Sequence, residues 1–213
     1  MTTATRASTL AAALATVLIF ANDLGAYVTN GVTWAQSPVP YYLNPANMDG
    51  LSPANVEAAV RAGADAWPQQ SGAAFSFTYA GQSSQTATTL DNINLVVFRN
   101  ASNGSAIATT YWWSNSSGIL DADIVFWDGG FTFFTGTSGC SGGFYIEDIA
   151  THEFGYALGL GHSTLPAATM YPSTSQCNMN NRTLDADDIA GVRFLYPPAG
   201  SAPPKPTGLR ILG

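Results

Sequence analysis

Both histidines of this chain fall inside one segment, Thr151-His-Glu-Phe-Gly-Tyr-Ala-Leu-Gly-Leu-Gly-His-Ser163. Apolar residues lead into it from Ile146, and their spacing predicts a helix over 146–158. Side chains four apart on a helix share a face, so His152 and Tyr156 project together. Gly159 follows the helix, and glycine past a last helical residue lets the chain turn back. The turn carries His162 toward the face that holds His152. Any fold for this chain has to accommodate that helix and the turn that closes on it.

The remaining elements follow from period. Val39, Tyr41 and Leu43 alternate, as do Phe75, Phe77 and Tyr79, and Ile93, Leu95 and Val97, which is the pattern of strands with one buried face. Ser52 before Pro53 is a helix start, and Val56, Val60, Gly63 and Trp67 share a helical face until Pro68, where the helix is expected to stop. A strand, a helix and two further strands suggest a right-handed crossover and a largely parallel sheet. Residues 119–127 read as another apolar strand, and 187–196 as a helix capped by Asp185, with Asp187 and Asp188 complementing its dipole.

Composition narrows the classes. A net charge of -7, with Lys205 the sole lysine, argues against nucleic-acid phosphate or anionic lipid as a partner. Arg6 precedes an apolar run from Leu10 to Phe20, too short to span a bilayer and laid out like a secretory signal peptide. Residues 1–26 are therefore expected to be removed, with Ala35 a later alternative cleavage point, and the mature chain to be secreted with no membrane span. Residues 27–198 then form one domain. Residues 199–213 form a Pro-rich linker whose last residues are similar to the first strand of a fibronectin type III domain.

The segment around the histidines resembles the metzincin zinc signature HExxHxxGxxH, with His152, Glu153, Gly159 and His162 in place. The resemblance to the matrixin (M10-type) branch continues beyond it. Thr169-Met-Tyr-Pro172 is similar to the Met-turn, Leu184-Asp-Ala-Asp-Asp-Ile-Ala-Gly191 with Leu195-Tyr-Pro197 to the C-terminal helix, and Trp34 with Val39-Pro-Tyr-Tyr-Leu-Asn-Pro45 to the opening strand. It thus covers nearly all of 27–198. It implies an α/β (α+β) metzincin-like fold: a twisted, mostly parallel sheet covered by helices, with a zinc-binding helix, a Met-turn and a C-terminal helix.

The resemblance also implies a zinc metalloendopeptidase. His152 and His162 would be zinc ligands, and Tyr156 stands where the signature has its middle histidine. Zinc held by neutral ligands lowers the pKa of bound water from about 15.7 to about 7, and Glu153 would take that proton as general base. A phenol has to ionise to bind well, and the resulting charge would raise the water's pKa, so Tyr156 is expected to impair activity. Met170 would form a hydrophobic floor beneath the metal, and Tyr171 and Pro172 the wall of a substrate pocket.

No histidine remains for a structural zinc. Calcium would draw on Asp121, Asp123 and Asp128, but a run of solvated loop acids is the preferred reading of these residues. Cys140 and Cys177 flank the metal-binding helix and the Met-turn, and in an exported chain they are expected to form a disulfide. The polypeptide substrate would lie along the strand near Leu120 to Trp127, adding to an exposed sheet edge. The rival reading is an inactive peptide-binding or adhesion module.

Overall fold

A computed structural model describes residues 26–201. The expected signal peptide, save its last residue, and the linker residues past 201 lie outside the described residues. In chain order the elements are strands β1 (Val28–Thr29) and β2 (Val39–Asn44), helix α1 (Pro53–Ser71), and strands β3 (Phe77–Gln82), β4 (Leu95–Phe98) and β5 (Ala108–Asn115). Strands β6 (Gly118–Phe126), β7 (Phe133–Phe134) and β8 (Phe144–Tyr145), helix α2 (Ile146–Leu158), strand β9 (Leu160–Gly161) and helix α3 (Ala186–Leu195) complete them. Among the described residues no helix is long and apolar enough to cross a membrane.

The main sheet has the order β3-β2-β4-β6-β5. Its first four strands run parallel, as the crossover pattern suggests, and β5 returns antiparallel beside β6. One face of the sheet packs on the helices: Tyr41 and Phe77 place their rings 5.1 and 5.0 Å from that of Phe154 on α2. The other face buries Leu95, Val97, Val125 and Trp127. Every residue of β4 is buried, so Leu-Val-Val-Phe reads as a continuous apolar run rather than an alternation. Ile93 accordingly falls outside that strand.

Helix α1 starts as expected, with the Ser52 hydroxyl accepting from Asn55 N–H and proline in the first turn. It does not stop at Pro68. The helix runs on to Ser71 and ends where Gly72, in the left-handed region at φ 65°, donates its N–H to Pro68 O. Proline removes a single donor here, and tertiary packing outweighs that loss. Trp67, beside it, is almost wholly buried and donates its indole N–H to Thr151 O at 2.9 Å, clamping the last turn of α1 to α2.

Two more side chains brace α2 through its carbonyls. Trp34 Nε1–H donates to Ala157 O at 2.8 Å, and the Tyr196 hydroxyl donates to Leu158 O at 2.7 Å. Cys140 and Cys177 are joined in a disulfide that links the loop before β8 to the chain after 170.

The acidic residues of β6 and the loop after it are not solvated. Asp121, Asp123 and Asp128 are all buried, and each accepts backbone N–H bonds of its own, from Asp91 and Asn92, from Leu95 and from Met48 respectively. They do not form one donor set: among the described residues no three His, Cys, Asp or Glu side chains gather as a metal site.

Among the described residues Asp123 Oδ2 has no hydrogen-bond partner, and burial pushes this carboxyl from its ordinary 3.8 up to about 7. The folded form therefore holds a proton that the unfolded chain has lost. The stabilisation is complete below the unfolded pKa and disappears as pH rises through about 7. Asp123→Asn should leave stability at pH 4 nearly unchanged and raise it at pH 8, flattening the decline between. Thermal unfolding followed by circular dichroism across that range checks this; parallel curves for the two proteins would contradict it.

Candidate metal centre

Helix α2 closes at Gly159, which adopts φ 105° and donates its N–H back to the last turn. A side chain there would strike the backbone carbonyl of Val32, so both conformation and space require glycine. The reversal delivers His162 to the face of α2 that carries His152 and Tyr156. The three rings converge: centroids lie 5.1 Å apart for His152 and Tyr156, 5.2 Å for Tyr156 and His162, and 5.5 Å for the two histidines.

His152 Nδ1 lies 2.6 Å from Thr169 O. A carbonyl only accepts, so Nδ1 carries the proton and Nε2 presents a lone pair. Burial lowers the pKa of this ring to about 4, which keeps it neutral and free to bind a cation. Burial also lowers that of His162. The Tyr156 hydroxyl shares a hydrogen bond with His162 Nε2. Burial, and then the charge of Glu153, raise the pKa of the phenol.

Two neutral imidazole nitrogens are donors that suit zinc, and a phenol oxygen would join them as a phenolate. The residues fit a single ion, provided that the Tyr156 hydroxyl surrenders its proton. Glu153 stands directly beside them, 5% exposed. Burial raises its pKa to about 7, opposed by the Thr110 hydroxyl, which donates to Oε2 at 2.7 Å.

Met170 is buried beneath the helix, against Gly155, where any side chain would collide with its sulfur and with the Trp67 ring. The turn that holds it is fixed by one carboxylate. Asp188 accepts from Thr169 N–H at 2.7 Å and Met170 N–H at 3.0 Å, and also from Asp185 N–H at 2.9 Å, completing the capping box of α3.

A cleft of about 400 Å³ opens over these residues. It is lined by Thr109, Thr110 and Trp112 of β5, by Ile149, His152 and Glu153 of α2, and by Tyr171 and Pro172 of the Met-turn segment. The proposed pocket-wall residues thus do lie in the cleft. The expected substrate strand is corrected: β6 is paired on both sides, with β4 and with β5, and has no open edge. The edge belongs to β5, which no strand covers on its outer side within this sheet. Sequence reasoning missed β5 because Ala-Thr-Thr-Tyr-Trp-Trp-Ser-Asn shows no apolar alternation, and it missed Thr110 with it.

The matrixin family profile matches residues 33–197, so the chain belongs to the matrixins. It is 32% identical over 178 residues to the hatching enzyme of Paracentrotus lividus, an alignment that covers 82% of this chain and 28% of that protein. It is 46% identical over 65 residues to matrix metalloproteinase-20 of Homo sapiens, covering 30% of this chain and 14% of that one. Matrilysin of Rattus norvegicus is 43% identical over 60 residues, covering 28% of this chain and 22% of that protein. The chain thus aligns with less than a third of the length of each of these relatives.

Removing the Asp188 carboxylate strands three N–H donors, two of them in the Met-turn. Asp188→Ala should lower the unfolding free energy by about 2–4 kcal/mol, and Asp188→Asn, which keeps one acceptor oxygen, by less. Urea denaturation of the variants measures both. A loss under about 1 kcal/mol for alanine would mean that water replaces the carboxylate.

Proposed function

We propose that this chain is the catalytic domain of a secreted zinc-dependent metalloendopeptidase, with activity reduced by Tyr156. The observation that carries the reading is the convergence of the His152, Tyr156 and His162 rings beside the buried Glu153 carboxyl, at the floor of one cleft. Membership of the matrixins supports the reaction class and the metal. Export is supported by the apolar run from Leu10 to Phe20 and by the disulfide, which suits an oxidising compartment.

His152, His162 and Tyr156 would hold the zinc, one ion at one site. When bound, it supplies Lewis acidity toward a peptide carbonyl and toward the attacking water. Glu153 accepts the proton that the water releases as its oxygen bonds to the carbonyl carbon. The same carboxyl then delivers that proton to the amide nitrogen as the C–N bond breaks. The exposed edge of β5 offers backbone N–H and C=O groups to an extended polypeptide, which would add there as a further strand. Tyr171 and Pro172 bound the pocket for a substrate side chain.

Glu153→Gln keeps the shape of the side chain but cannot take a proton. Peptide hydrolysis should fall by about 100- to 10,000-fold while folding and bound zinc persist. Steady-state cleavage assays with metal analysis of the same samples test this, and an unaltered rate would remove Glu153 from the role.

Tyr156→His replaces a phenol that must ionise by a neutral nitrogen donor. Zinc affinity and peptide hydrolysis should each rise by about 10-fold or more, since even outer-shell changes at metal sites cost about 10- to 100-fold. The measurement compares zinc stoichiometry after identical dialysis, and cleavage of a generic unfolded protein, for the two forms. Equal occupancy and equal rates would make Tyr156 a competent ligand.

A further inference from the structure

We infer that Thr110 is a positioning residue for Glu153, a role that rests on the reading of Glu153 as the group that moves the proton. Its hydroxyl is placed 2.7 Å from Glu153 Oε2 and 3.1 Å from the backbone carbonyl oxygen of the same residue. No other protein group among the described residues bonds that carboxyl, although it is almost fully buried. A buried carboxyl with a single partner takes its orientation from that partner.

Thr110 is well held for the task. It pairs with Ile124 in the antiparallel β5–β6 ladder, so its backbone is fixed by the sheet. As a β-branched residue it has restricted freedom at χ1. With Oε2 held by the hydroxyl, Oε1 is the oxygen left to take the proton from water and to pass it to the amide nitrogen. The hydroxyl donates to Oε2 both before and after that transfer, so the carboxyl keeps its place in both states.

Thr110 also lies on the strand whose free edge would receive the peptide. The positioning group for the base and the docking edge for the substrate are therefore parts of one rigid strand. The geometry resists a purely architectural reading because the shorter of the two bonds goes to the carboxyl, where a simple helix–strand tie would need only the backbone oxygen.

The test uses the full chain with Thr110→Val, which preserves shape and deletes the hydroxyl, and Thr110→Ser, which restores it. The chain has three glutamates, Glu57, Glu147 and Glu153, so glutamate labelled with ¹³C at the carboxyl carbon gives three signals. In the metal-free protein the Glu153 signal should move in Thr110→Val and return in Thr110→Ser, while those of Glu57 and Glu147 stay in place and report an intact fold. Should valine unfold the chain, Thr110→Ala takes its place. With zinc loaded, kcat should fall by about 10- to 100-fold in the valine variant with KM unchanged, the loss expected for a misplaced catalytic group, and serine should recover most of it. An unmoved Glu153 signal, or serine as impaired as valine, overturns the inference. If no form of the chain cleaves peptide, the proteolytic reading fails by itself, and the carboxyl signal still decides whether Thr110 positions Glu153.

Discussion

The Asp188 carboxylate is the interaction on which the rest of the site hangs. It sits almost fully buried in the first turn of α3 and accepts N–H bonds from Asp185, Thr169 and Met170. Taking a carboxylate out of water is costly, and its raised pKa reflects that cost; three converging donors offset it. The return is that one side chain sets the start of α3 and the shape of the Met-turn together. From there the constraint passes on by backbone contacts. Thr169 offers its carbonyl to His152 Nδ1–H, and Met170 accepts from Ser163 N–H, next to His162. The two histidines are thus registered against the same turn.

Much of this was legible in the sequence where local chemistry decides structure. Ser52 and Pro53, Asp185 with Asp188, and Gly159 mark helix ends because caps and left-handed residues are local requirements. The helix over 146–158 matches its expected bounds. Pro68 misled because proline weakens a helix locally, whereas Trp67, bonded to Thr151 more than eighty positions on, secures that turn from a distance. Strand β5 misled in the opposite sense. Its pairing with β6 comes from the ladder, and its sequence records neither a fully buried face nor a fully solvated one.

The site divides along the same line. His152, Glu153, Tyr156 and His162 belong to one helix and one turn, so their spacing already brings them together. Thr110 belongs to another element, more than forty positions away, and a lone threonine in an unrecognised strand carries no signal. The buried acids show the same limit. Asp121 and Asp123 read as loop acids open to solvent or metal, and only the ladder to β4 and β5 reveals that they are inside.

Tyr156 can stand in a histidine's place because the frame around it is held by contacts between protein groups. Trp34, Trp67 and Tyr196 hold α2 by its carbonyls, Asp188 holds the Met-turn, and the disulfide ties the flanking loops. None of these contacts involves a histidine nitrogen, and the separate bond from His152 Nδ1 to Thr169 O orients that ring without occupying Nε2. A phenol at 156 therefore reaches the centre of the site and meets His162 there. The hydroxyl proton and a cation then compete for one oxygen. Burial and the neighbouring Glu153 favour the proton, while a bound cation would favour the phenolate. Glu153 sharpens that competition, because its charge opposes ionisation of the phenol beside it; under the proposed roles, base and third donor would work against one another.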